Sequence, residues 1–255
     1  MPLASLLLAA AFAQAESTET SQDKPAKAEP AAFVAVTYSD ADARKALADF
    51  KTVSAKAPLV ERMAAIDALV RGSHDDLVPA LDKVVRRDAS VAVRKRAAEA
   101  LAWQPPKKAY PVVTALLASR EVEQSIELVE PLVAALAKVG YASKDWPRLE
   151  TYFRAGYGPD RTGLQRAIIA LAAEHKEKLA VPVLLENFDE PKPADIHGAS
   201  NPPAEYWEAR WKAWRAWREE ARAAVQAITG QKFGSADEAR AWLKVNGAKL
   251  GIKKY

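Results

Sequence analysis

The chain has 255 residues, 49% of them hydrophobic, with 37 basic against 33 acidic residues and a formal net charge of +4. Such length and apolar content support a substantial core and exclude a disordered chain. The absence of Cys excludes a disulfide scaffold, Cys-ligated zinc, a thiol nucleophile and a Cys-attached lipid anchor.

Residues 3–13, LASLLLAAAFA, form an uncharged apolar run followed by Ala13-Gln14-Ala15, the small-x-small pattern of a signal-peptidase site. The run is shorter than the ~20 apolar residues that span a bilayer. It predicts a signal peptide over 1–15, cleavage after Ala15 and a periplasmic or secreted protein, with no transmembrane segment left in the mature chain. Residues 16–38 begin ESTETSQDKPAKAEPAA, the composition of a disordered linker. Ser39-Asp-Ala-Asp42 then starts a capping helix with Leu47, Phe50 and Val53 on one face.

A repeat follows. Ala-Leu recurs as Ala68-Leu69, Ala100-Leu101, Ala135-Leu136 and Ala170-Leu171, at intervals of 32, 35 and 35 residues. Pro79, Pro111, Pro147 and Pro182 follow the four Leu residues at offsets of 10, 10, 11 and 11. Each copy reads as two helices, the Pro marking the first turn of the second, where its missing N–H costs nothing. The inward positions are Met63, Ile66, Ala68, Leu69, Leu77, Leu81 and Val84 in the first copy, and Val93, Ala97, Ala100, Leu101, Val113, Leu116 and Leu117 in the second. The third gives Leu132, Leu136, Trp146, Leu149 and Phe153, with a kink expected at Pro131. The fourth gives Leu164, Ile168, Leu171, Leu179, Val183 and Phe188. No run alternates as a strand does, and Asn246-Gly247 falls in a polar tail.

After the repeats, residues 189–203 carry four Pro and a Gly and read as a loop insertion. Glu205 to Thr229 reads as a long helix closed by Gly230, and Ser235 to Val245 as a last helix opened by a Ser235–Glu238 capping box. Residues 39–188 thus form the cap and four repeats, and 204–255 a Trp-rich C-terminal cap. The predicted fold is all-α, a right-handed α-solenoid of four to five antiparallel helix pairs whose second helices line the concave face.

The stretch Val93-Arg94-x-x-Ala97-Ala98-x-Ala100-Leu101 resembles the HEAT pattern V-R-x-x-A-A-x-A-L. Asp88 stands two residues earlier than that pattern places its acidic residue. The period is shorter than the ~40–47 residues of long HEAT units and is similar to the short bacterial HEAT-like, or phycobilisome-lyase-type, repeat. The segment 228–244 is similar to the closing Thr-Gly-x-x-Phe-Gly turn and Trp-bearing helix of secreted HEAT-like proteins. The resemblance implies an interaction scaffold; chromophore chemistry does not transfer to an exported chain without Cys.

Three features bear on function. Trp207, Trp211, Trp214 and Trp217, spaced by 4, 3 and 3, share one helix face. They read either as the core face of the capping helix or as an exposed aromatic platform interleaved with Arg210, Arg215 and Arg218. Between Lys83 and Lys108 eight basic residues stand against two acidic ones. Arg86, Arg87 and Arg94 there read either as repeat-to-repeat partners or as a site for an anionic polymer or nucleic acid. His74-Asp75-Asp76 lies in a turn where Asp is an ordinary N-cap, and His175 and His197 read as solvated.

No hydrolase, metalloprotease, P-loop or dinucleotide motif occurs, so neither a catalytic residue, a metal ligand nor a cofactor is assigned. The expected function is a non-catalytic protein–protein scaffold of the cell envelope, with Trp207, Arg210, Trp211, Arg86, Arg87 and Arg94 as the partner-binding residues. The alternatives are an anionic-polymer binder, and an enzyme or enzyme subunit with a cleft at the Trp-rich helix. Export disfavours nucleic acid as the partner.

Overall fold

The structure is a computed structural model that describes residues 35–53, 56–193 and 201–253. The predicted signal peptide, linker residues 16–34 and the centre of the insertion, His197 included, lie outside the described residues. The fold is all-α. Its helices are α1 (Asp40–Thr52), α2 (Leu59–Val70), α3 (Leu77–Arg87), α4 (Val91–Ala100), α5 (Pro106–Leu117) and the single turn α6 (Arg120–Glu123). They continue as α7 (Val129–Val139), α8 (Trp146–Arg154), α9 (Thr162–Glu174), α10 (Val181–Glu186), α11 (Ala204–Thr229) and α12 (Ala236–Leu250).

Helices α2, α4, α7, α9 and α11 pack successively on one another, each on the next. Their partners form a second layer: α3 packs on α4 and α5, α8 on α9, and α10 on α11 and α12. This is the order of stacked helix pairs, in which each repeat buries its apolar face on its neighbours. All four repeat leucines, Leu69, Leu101, Leu136 and Leu171, are buried. Ala100 and Ala135 are buried beside them, where a small side chain admits close helix approach, whereas Ala68 and Ala170 face outward.

Several expectations need correction. Pro147 and Pro182 occupy first turns, but α5 starts at Pro106, so Pro111 sits inside it. Pro131 produces no kink within a helix. A 3-10 turn over Ile126–Leu128 precedes α7, and Pro131 falls in that helix's first turn. Leu179 is exposed, because a 3-10 turn over Lys178–Ala180 replaces the start of the second helix. Asn246-Gly247 lies inside α12, which runs on to a left-handed Gly251 (φ 72°).

The linker's last residues are also ordered. Val36–Thr37, β1, pair in parallel with Gly72–Ser73, β2, in the turn between α2 and α3. Ser39 caps α1 in a full capping box with Asp42, and Gly230 closes α11 in the left-handed conformation (φ 74°) as the sequence predicts. At α12, Ser39's counterpart Ser235 accepts from the Glu238 N–H, while the Glu238 carboxylate accepts from Gly234, so the box is incomplete.

Candidate functional site

Three arginines of the basic run, Arg86, Arg94 and Arg96, tie repeats together. Arg94 of the second repeat donates back to Val85 O of the first at 2.6 Å, and forward to Ser125 Oγ at 3.1 Å and Glu121 O at 3.0 Å in the connection before the third. Arg86 pairs with Asp82 at 2.9 Å and reaches Glu121 at 3.8 Å. Arg96 bonds back to Asp67 of the first repeat at 2.7 Å. Asp88 accepts from the Ser90 N–H at 2.8 Å and pairs with Arg62 of the preceding repeat. These groups have protein partners and are not free for an anionic polymer.

Arg87 is different. With Lys83, one turn before it on α3, and Lys51 on α1, it rims a cavity of about 520 Å³ between α1, α2 and α3. None of these three cations has a carboxylate partner among the described residues. The cavity exists because α1 packs loosely. Ala43 is its one fully buried residue, while Leu47 and Phe50 are half-buried and rest on the core from one side. Leu47, Phe50 and Val53 of α1 thus face Ala80 and Val84 of α3 and Val93 of α4 across an apolar floor. The volume lies in the usual range of small-molecule sites, about 300–1,000 Å³.

The Trp stripe of α11 divides. Trp217 is fully buried, its ring centroid 5.5 Å from that of Phe153, and its Nε1–H donates to Gln165 Oε1 at 3.1 Å. Trp214 is buried with Arg218 over its ring at 5.1 Å. Trp207 and Trp211 are half-buried. Trp211 donates to Glu190 of the insertion and carries Arg215 over its ring at 4.6 Å. Trp207 meets Tyr206 edge-on at 5.3 Å, and Arg210 bridges the Trp207 and Tyr157 rings at 5.7 and 5.3 Å. The inner half of the stripe is therefore core, and the outer half is an aromatic–arginine corner.

Beside that corner a second cavity of about 360 Å³ is lined by Tyr157, Thr162, Glu205, Glu208 and Lys212. The Lys212 ammonium, 2.5 Å from Glu208, holds that carboxyl below its ordinary range. Glu208 is thus an ionised acceptor rather than a proton donor at neutral pH. Burial pushes the Tyr157 hydroxyl up, which keeps it protonated. These groups can hydrogen-bond a ligand.

His74 takes a structural part. Its Nδ1 accepts from the Asp76 N–H and its Nε2 lies 3.1 Å from Asp40 of α1. Asp76 occupies the N-cap of α3 but its side chain makes no cap bond, contrary to expectation. His175 is exposed and lies against the Tyr141 ring, centroids 5.0 Å apart.

Among the described residues no group of three or more His, Cys, Asp or Glu is placed to hold a metal ion. No helix there is long and apolar enough to cross a membrane. Of the six residues singled out from sequence, Trp207 and Arg210 come together, Trp211 stands a turn along, Arg87 rims the first cavity, and Arg86 and Arg94 bind neighbouring repeats. Lys51 and the apolar floor were missed; the i, i+4 pair Lys83 and Arg87 was the available signal. Comparison of the chain with protein-family models, curated proteins and solved structures found no match.

Proposed function

We propose that the protein is a non-catalytic binding scaffold of the cell envelope, built on HEAT-like repeats in a right-handed solenoid and exported by residues 1–15. The observation that carries the binding reading is the cavity between α1, α2 and α3, which joins an apolar floor to three cations that have no carboxylate partner among the described residues. Free apolar surface and uncompensated charge are costly to leave in a fold and useful for holding something else. The successive packing of α2, α4, α7, α9 and α11, together with the HEAT-type Val93–Leu101 segment, supports the repeat assignment. Commitment of Arg86, Arg94 and Arg96 to repeat contacts weighs against a polymer track along the basic run.

The test is photo-crosslinking in intact source cells. A photoreactive residue at the position of Ala80 should give a discrete adduct identifiable by mass spectrometry, while one at Lys244 on α12 should not. Equal labelling at the two positions would overturn the binding reading. Export is tested separately: the mature chain should begin at Glu16, and an intact Met1 in the cytoplasm would refute it.

A further inference from the structure

We propose that the cavity between α1, α2 and α3 binds a single-chain amphiphile with an anionic head group, its hydrocarbon body on the apolar floor and its head among Lys51, Lys83 and Arg87. The inference rests on the reading of the protein as a binding module and names the ligand class that module takes.

Among the described residues, no Ser, Thr, Asn, Gln, Tyr, Trp or His side chain lines the cavity. The walls are chiefly helix sides, whose backbone N–H and C=O groups are already bonded within each helix. A peptide, sugar or nucleobase needs neutral donors and acceptors for its amides, hydroxyls or ring edges, and loses affinity where these go unpaired. A hydrocarbon chain needs none of them and gains by leaving water. The side-chain chemistry therefore favours an aliphatic body.

The charge argument gives the other end. Two carboxylates, Asp76 and Asp88, and four cations line the cavity. Asp88 is taken by Arg62, and Asp76 leaves one exposed negative charge against the three remaining cations. Lys51, Lys83 and Arg87 remain. All three are exposed, as head-group ligands at a mouth should be, and Lys83 and Arg87 stand one turn apart on the same face of α3. An anionic head there gains charge-assisted hydrogen bonds while its chain lies inward. A cationic or uncharged amphiphile gains only the floor.

The test is isothermal titration of the purified chain with decanoate and with decyl phosphate, both below their micellar concentrations, and with decyltrimethylammonium. Saturable binding of one molecule per chain is expected for at least one of the two anions, and the tighter of them identifies the head group. Lys83→Gln with Arg87→Gln should weaken that binding about tenfold or more, whereas Lys107→Gln with Lys108→Gln, which removes the same charge outside the cavity, should leave it unchanged. Ala80→Trp, which fills the floor, should abolish it. The proposal is overturned if neither anion binds saturably, if the cationic amphiphile binds equally well, or if both double variants behave alike. Should the titrations fail while the Ala80 position still crosslinks in cells, this ligand class is wrong and the binding reading stands.

Discussion

Gly72 shows how one residue holds the entry of the chain. A Cβ there would lie 2.2 Å from ring carbons of Tyr38, and the Gly72 carbonyl also accepts from the Gln104 side chain at 2.9 Å. Gly72→Ala should therefore push the Tyr38 ring away and loosen the β1–β2 pairing, at a cost of about 1–3 kcal/mol. Urea unfolding of the single and double variants with Tyr38→Ala measures this. The losses should be less than additive, and strict additivity would show that the two residues do not compete for space. The sequence offered Arg94 as a repeat-to-repeat partner or as part of an anionic-polymer site, and its bonds to Val85, Ser125 and Glu121 make it the former. Its acceptors were not readable, since two are backbone carbonyls, Val85 O of the first repeat and Glu121 O before the third, whose directions depend on how the repeats dock. Arg94→Ala should destabilise by about 1–3 kcal/mol, from lost charge-assisted bonds, and the exposed neighbour substitution Lys95→Ala by less than about 0.5 kcal/mol.

At the scale of the element, α11 is the clearest case of a pattern that sequence places but cannot finish. Spacing put four Trp on one face, and the structure buries Trp214 and Trp217 while leaving Trp207 and Trp211 partly open. The difference arises because α9 and α10 cover the middle of α11, while its first turns extend beside the insertion. Acrylamide should quench the emission of Trp207 and Trp211 more than that of Trp214 and Trp217. Trp207→Phe should accordingly lower the quenchable fraction more than Trp217→Phe, and the reverse order would contradict the division of the stripe. The Trp217–Gln165 bond has a sharper consequence. Gln165 is fully buried, and its amide also donates to Phe153 O and Gly156 O at 3.2 and 3.0 Å. Gln165→Leu should cost about 1–3 kcal/mol for each buried group left unpaired, visible in the chemical unfolding midpoint. The missed 3-10 turns before α7 and α10 have a common cause: Pro131 and Pro182 fix the α-helical start while the residues before them tighten into three-residue turns.

For the whole molecule, the helix pairs and their order were legible, because two markers kept phase through four copies. The α1–α3 cavity was not, because apolar periodicity marks a face without showing whether that face is fully covered. Tyrosine chemistry adds a property that sequence gives no hint of. Burial, and for Tyr141 the neighbouring Glu177, raises the pKa of Tyr141, Tyr152 and Tyr157 above the ordinary value of 10.0. A raised folded-state pKa contributes stability that is complete below the unfolded value and lost above it. Stability should hold up to pH 10 and fall as the pH climbs beyond it, and Tyr141→Phe should flatten part of that fall. An unfolding midpoint equally pH-dependent in the variant would refute the assignment.

The two edges of the stack are fastened by different chemistry. Along the turns within repeats, Gln104 holds Gly72 and His74, Tyr110 holds Asp145, and Tyr141 holds Glu177 at 2.6 Å, each bond joining one repeat only to its neighbour. Along the connections between repeats the fasteners include the ion pairs Arg62–Asp88, Arg86–Glu121 and Arg154–Glu186. Dissolved salt screens the more exposed pairs of Arg86 and Arg154, reaches the largely buried Arg62–Asp88 pair much less, and leaves the buried Gln104 bonds untouched. Rising ionic strength should therefore loosen the connections held by Arg86 and Arg154 while the turns fastened by Gln104 hold. Amide hydrogen exchange should quicken with added salt at those connections before it does at the turns.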